Sequence, residues 1–116
     1  MKEKSVKIQK TESLLAELIP EALATLEDSR LSSLNITKVD CSRGKYDADV
    51  YFYEPSLDES EVKEVMKLLS KVSPKITSHT LTSTGWYRSP KFHFKFDKSV
   101  DEMQRLEELF ARIKSE

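Results

Sequence analysis

The sequence predicts an α+β domain: three strands in one sheet, with helices covering one of its faces. Three observations carry that expectation. Phe92, Phe94 and Phe96 alternate with Lys91, His93 and Lys95, the two-residue period of a strand with one covered face. Val62, Val65, Met66, Leu68, Leu69 and Val72 follow the three-and-four spacing of a buried helical stripe. The chain has 116 residues, 38% hydrophobic and 34% charged, which suffices for one modest core, so residues 1–116 are expected to form a single domain.

A first helix is expected to start between Ser5 and Thr11 and to run to about Glu27, with Ile8, Leu15, Leu18, Ile19, Ala22 and Leu26 inward and a kink at Pro20. Asp28-Ser29-Arg30-Leu31 closes it, and Leu34, Ile36, Val39 and Cys41 mark the first strand. The odd step from Ile36 to Val39 implies a bulge or an irregular entry to the strand. After a turn at Ser42-Arg43-Gly44-Lys45, a second strand turns Tyr46, Ala48, Val50 and Phe52 to one face and Asp47, Asp49, Tyr51 and Tyr53 to the other, completing a hairpin.

Ser56 and Glu59 have the spacing of a capping box that opens a helix at Ser60. Ser73-Pro74 is expected to break that helix, because proline cannot donate an interior helix bond but suits the first turn of a new helix capped by Ser73. The second helix would turn Ile76, Thr80, Leu81 and Thr84 inward and stop at Gly85. Its free N–H groups would attract phosphate. Trp86 and Tyr87 read as an apolar plug after the helix, with base stacking, shared with Tyr51 and Tyr53, as the other reading. The alternating-phenylalanine strand follows. Ser99 and Glu102 form a second capping box before a last helix that turns Val100, Met103, Leu106, Leu109, Phe110 and Ile113 inward. From the first helix through the third strand this is the order of a type II KH fold, with a helix-kink-helix in place of the Gly-x-x-Gly loop.

A lone Cys41 and two scattered histidines offer neither a disulfide nor a metal site, and no run is apolar enough to span a membrane or form a signal peptide, so a cytoplasmic protein is expected. His79, His93 and Cys41 fall on separate elements and only two glycines are available for a phosphate loop, which argues against an enzyme. Net charge is only −1, but residues 71–98 hold six basic residues against Asp97 alone, while residues 14–70 hold twelve acidic residues against six basic ones. The basic block points to RNA. Lys71, Lys75 and His79 would share one helical stripe beside Ser73, Lys91 and Lys95 would line the open side of the last strand, and Arg88 lies between them. Arg43, Lys45 and the lysines at the N-terminus are the fallback surface.

Over residues 8–113 the chain resembles the ribosome-binding factor A family. The likeness rests on Asp28, Arg30 and Leu31 after the first helix, where the family has Asp-Pro-Arg and an aliphatic residue. It rests also on Val39, Ser42, Ala48, Val50 and Tyr51 in the hairpin and on Pro90, Phe94, Asp97 and Ser99 around the last strand. Three stretches depart from it: Val72-Ser73-Pro74 stands where the family usually has Ala-x-Gly, Gly44 where it often has aspartate, and Gly85-Trp86-Tyr87-Arg88 where it often has several basic residues. The resemblance implies a non-catalytic, monomeric factor that binds the immature 30S ribosomal subunit and its 16S rRNA, assists late maturation and rRNA processing, and needs no cofactor. The competing expectation is a small adaptor that binds protein through the acidic middle of the chain.

Overall fold

The computed structural model describes residues 5–42 and 46–115, with side chains through 113. Ser5 accepts a hydrogen bond from the Ile8 N–H and so caps α1 (Val6–Ala24), which is followed by α2 (Ser29–Ser32), β1 (Asn35–Asp40), β2 (Asp47–Tyr53), α3 (Glu59–Thr84), β3 (Lys91–Phe96) and α4 (Ser99–Ser115). β2 is the central strand, antiparallel to β1 and parallel to β3. The α+β order is the expected one. Ala48, Val50 and Phe52 are fully buried on the covered face, with Phe92 and Phe94 in register beside Ala48 and Val50. α1 lays Leu15, Ile19 and Leu23 over them, and α3 lays Val65, Leu69 and Ile76. Glu12 of α1 accepts the Cys41 N–H at 2.7 Å, joining the first helix to the end of β1.

The bulge falls where the spacing places it, between Ile36 and Lys38, with Thr37 as the extra residue. Its hydroxyl donates to the Asp97 carboxylate at 2.5 Å, and Asp97 also accepts from the Ser99 N–H at 2.9 Å and from the Ser99 hydroxyl. Asp97 thus ties the bulge of one edge strand to the first turn of α4, and the capping box expected of Ser99 and Glu102 gives way, because Ser99 is itself the first helical residue and donates its hydroxyl to Asp97. Those hydrogen bonds, from Ser99 first and Thr37 second, hold its carboxyl below the usual 3.8. A lowered native pKa contributes stability that is present above the unfolded value and lost as pH falls through the native one. Asp97→Asn is therefore expected to cost about 1–2 kcal/mol at neutral pH. Denaturation titrations at a series of pH values should show the gap to wild type closing below pH 3.8.

Several local expectations give way. Asp28 does not merely end α1: its carboxylate accepts the Arg30 N–H and caps α2, with the Arg30 guanidinium 2.9 Å away. The capping box before α3 is Asp58 with Glu61 rather than Ser56 with Glu59, because only Asp58 has the extended backbone next to the first helical residue. Tyr46 lies before β2 and is 54% exposed. The turn at Arg43-Gly44-Lys45 lies outside the described residues.

The largest difference is in α3. The expected break is absent: the helix runs unbroken for 26 residues with Pro74 inside it, and Gly85, at φ 72°, ends it in the left-handed conformation. Val65, Leu69, Ile76 and Thr80 are buried on both sides of the proline along one stripe. Packing on that stripe outweighs the bond that the proline cannot make. Since Pro74 is exposed, Pro74→Ala should restore that bond without opening a cavity. Chemical denaturation is expected to show a gain of about 1–3 kcal/mol, whereas Ser73→Ala, expected from the cap reading to be costly, should stay within about 0.5 kcal/mol of wild type.

α4 also departs from expectation. Asp101 accepts a 2.7 Å hydrogen bond from the Tyr53 hydroxyl, which holds that phenol above its usual range, but from Glu102 through residue 113 every residue is exposed. Met103, Leu106, Leu109, Phe110 and Ile113 form an apolar stripe that faces away from the core. The radius of gyration is 16.3 Å, against about 13 Å for a spherical chain of this length.

Candidate nucleic-acid interface

The continuity of α3 creates a surface that a broken helix could not. No acidic residue occurs from Val65 to Thr84, and Lys67, Lys71, Lys75 and His79 recur at every fourth position, with Lys63 one step before them. In an unbroken helix residues four apart are neighbours along one inclined ridge. At 1.5 Å per residue the row from Lys63 to His79 spans roughly 24 Å. All four lysines are exposed, and the exposed hydroxyls of Ser70, Ser78 and Thr82 stand beside them. His79 is partly covered, its Nε2 3.4 Å from the Glu21 carboxylate of α1.

Ser73 sits within this helix, half-buried, and caps nothing. The cluster of free N–H groups expected beside it does not exist, so any anion held on α3 must be held by side chains. The structure brings Lys71, Lys75 and His79 together as the spacing predicts. It adds Lys63 and Lys67, which, like Lys71, precede the expected break, and joins them to Lys75 and His79 beyond it. The signal for them was the apolar phase of Val65, Leu69, Val72, Ile76 and Thr80, which passes through Pro74 without a shift.

The open side of the sheet is less basic than its lysines suggest. Asp47 lies opposite Lys91 and Asp49 opposite His93 in the parallel register. His93 shares a 2.8 Å hydrogen bond with Asp47, and Lys95 is 3.6 Å from Asp49. Lys38 and Lys95 both sit over the Tyr51 ring, 5.6 and 6.0 Å from its centre. Lys95 is thus held by an aspartate and a ring, while Lys91, at the start of β3, is exposed. Arg88 lies 5.6 Å from the centre of the Tyr46 ring. Arg43 and Lys45, offered as a fallback, lie outside the described residues.

The acidic middle is largely engaged within the molecule: Asp28 with Arg30, Glu64 with Arg30 at 3.8 Å, and Asp47 and Asp49 with the cations of β3. Cys41 is buried. Among the described residues no group of three or more metal-binding side chains converges, and no helix is long and apolar enough to cross a membrane. What the geometry offers is a cationic ridge that winds along α3, suited to a row of phosphates.

Comparison with known proteins agrees with this architecture. The sequence model of the family described as ribosome-binding factor A matches residues 7–110. Ribosome-binding factor A of Wolinella succinogenes is 51% identical over 116 residues, covering 100% of this chain and 98% of the relative. The solution structure of a Thermotoga maritima protein assigned as a ribosome-binding factor A superposes with a TM-score of 0.69 at 25% identity, over 82% of this chain and 91% of the other. A homology model of Thermus thermophilus ribosome-binding factor A, fitted into an electron cryo-microscopy map of its complex with the 30S subunit, superposes with a TM-score of 0.61 at 21% identity, over 75% of this chain and 91% of that one.

Proposed function

The chain belongs to the ribosome-binding factor A family, and from that premise we propose that it is a non-catalytic assembly factor of the cytoplasm, acting as a monomer on the immature 30S subunit. It binds the 16S rRNA, holds it in a productive arrangement during late maturation and processing, and leaves without consuming a cofactor. The observation that carries the reading is the ridge on α3, four exposed lysines at every fourth position of an unbroken helix with no carboxylate among the last twenty residues. Lys71 and Lys75 stand at its centre and make the main phosphate contacts. Lys63, Lys67 and His79 extend the row, and Arg88 and Lys91 continue it past the end of the helix. Ser73 contributes backbone geometry rather than a contact, and Lys95 is the weakest candidate because Asp49 already holds it. The 30S complex of the Thermus thermophilus relative supports the choice of particle.

Sedimentation of a cell extract containing a tagged copy tests the reading. The protein should travel with free 30S subunits rather than 70S ribosomes and should be released as salt rises, because bound phosphates regain their counterions. Equal distribution between the two particles, or binding that ignores salt, would overturn it.

A further inference from the structure

A second feature, at the opposite end of α3 from Lys63, is built for a different part of RNA. Just past Gly85 the chain folds back on the start of α1, and Lys7, Tyr46, Trp86, Tyr87 and Arg88 line a cleft of about 440 Å³. That volume lies within the range of small-ligand sites, ~300–1,000 Å³, and suits one flat ring system rather than a run of them. Three of the walls are aromatic. Trp86 packs partly against the core, which fixes its ring. Tyr87 is 100% exposed and so serves no packing role in the fold. Tyr46 also lines the cleft, with the Arg88 guanidinium over its ring. Lys7 and Arg88 supply positive charge, and no acidic side chain is among the described residues that line the cleft.

Aromatic faces with a cationic rim suit a planar π system that carries an adjacent anion. A base-paired helix does not present such a face, since its bases are stacked on one another; an unpaired nucleotide does. The cleft lies just past the C-terminal end of α3, the helix that carries the lysine ridge. We propose that this cleft is a stacking site for a single unpaired RNA base, with the base against Trp86 and Tyr87 and its flanking phosphates on Lys7 and Arg88. The inference rests on the rRNA reading above and adds to it a preference for single-stranded over duplex RNA. Stacking on ring faces is tolerant of base identity, so the preference is for strandedness rather than for a sequence.

Trp86 is the lone tryptophan, so its fluorescence reports on the cleft directly. The full chain is titrated at low salt with unstructured oligouridylate and with the blunt duplex that it forms with oligoadenylate, binding being followed by anisotropy of labelled RNA. The single strand should bind and quench Trp86 to saturation, and the duplex should bind the ridge without quenching. Tyr87→Ala removes an exposed ring and should leave the melting temperature unchanged while weakening the single strand about tenfold and the duplex not at all. Joint reversal of Lys71 and Lys75 to glutamate should weaken both. Single-strand binding that leaves Trp86 emission unchanged, or a Tyr87→Ala protein that binds both as wild type does, overturns the stacking site and leaves the ridge standing. Failure of the wild type to bind either RNA overturns the ridge and the cleft together.

Discussion

A chain in which Lys67, Lys71 and Lys75 are all changed to glutamate is expected to bind the 30S subunit roughly a hundredfold more weakly than wild type and to melt at the same temperature. A phosphate contact by a charged donor is worth about 1 kcal/mol or more net, and 1.4 kcal/mol is a factor of ten, so losing three gives about two orders of magnitude. The three side chains are exposed and none belongs to the buried stripe of α3, so the fold has little reason to respond. Binding should also become less sensitive to salt, the log–log slope falling by about 2 to 3 for three lost phosphate contacts. Titrations at several salt concentrations, with a thermal melt of the same preparations, check both. Unchanged 30S affinity in the triple variant would remove α3 from the interface altogether.

Phe52→Ala should have the opposite profile, a large loss of stability from the centre of the sheet. Phe52 is fully buried on the central strand, in register between Ile36 and Phe96, and its ring meets the Phe96 ring edge-on at 5.7 Å. Removing it withdraws apolar area and leaves a cavity that neighbours in two strands cannot close, a cost of about 3–5 kcal/mol. Against a total of about 5–15 kcal/mol the variant would sit near the edge of folding. Urea denaturation should show the midpoint fall steeply with the slope little changed, and Phe52→Leu should recover much of the loss. A cost under about 1 kcal/mol would mean that some other residue organises the core.

These two outcomes also mark where the sequence was legible. The covered face of the sheet could be read because strand periodicity is local: Phe92 and Phe94 alternate with Lys91 and His93, and the pleat alone sends them to opposite sides. The bulge at Thr37 was readable for the same reason, as a slip in that period. At Ser73-Pro74 two local signals conflicted. Proline argues for an end, whereas the apolar stripe continues in phase, and the outcome depends on how much of that stripe the sheet and α1 bury, which is a property of the tertiary structure. The site inherited that misreading, because Lys63, Lys67 and Lys71 continue into Lys75 and His79 as one row only if the helix is continuous. α4 shows the other kind of limit. Met103, Leu106, Phe110 and Ile113 state correctly that a helix has an apolar side, but periodicity says nothing about which surface is near enough to cover it. The pairing of Lys95 with Asp49 was equally out of reach, because it depends on which strands are neighbours and in what register.

The parallel pairing of β3 with β2 also bears on how the nascent chain folds. The hairpin of β1 and β2 and the first helix can associate as soon as they are synthesised, but Lys91 pairs beside Asp47 only after the whole of α3 has been made. At about 5–20 residues per second, the edge of β2 that will receive Phe92 and Phe94 stays bare for roughly two to nine seconds. During that interval it is a template for any extended chain nearby.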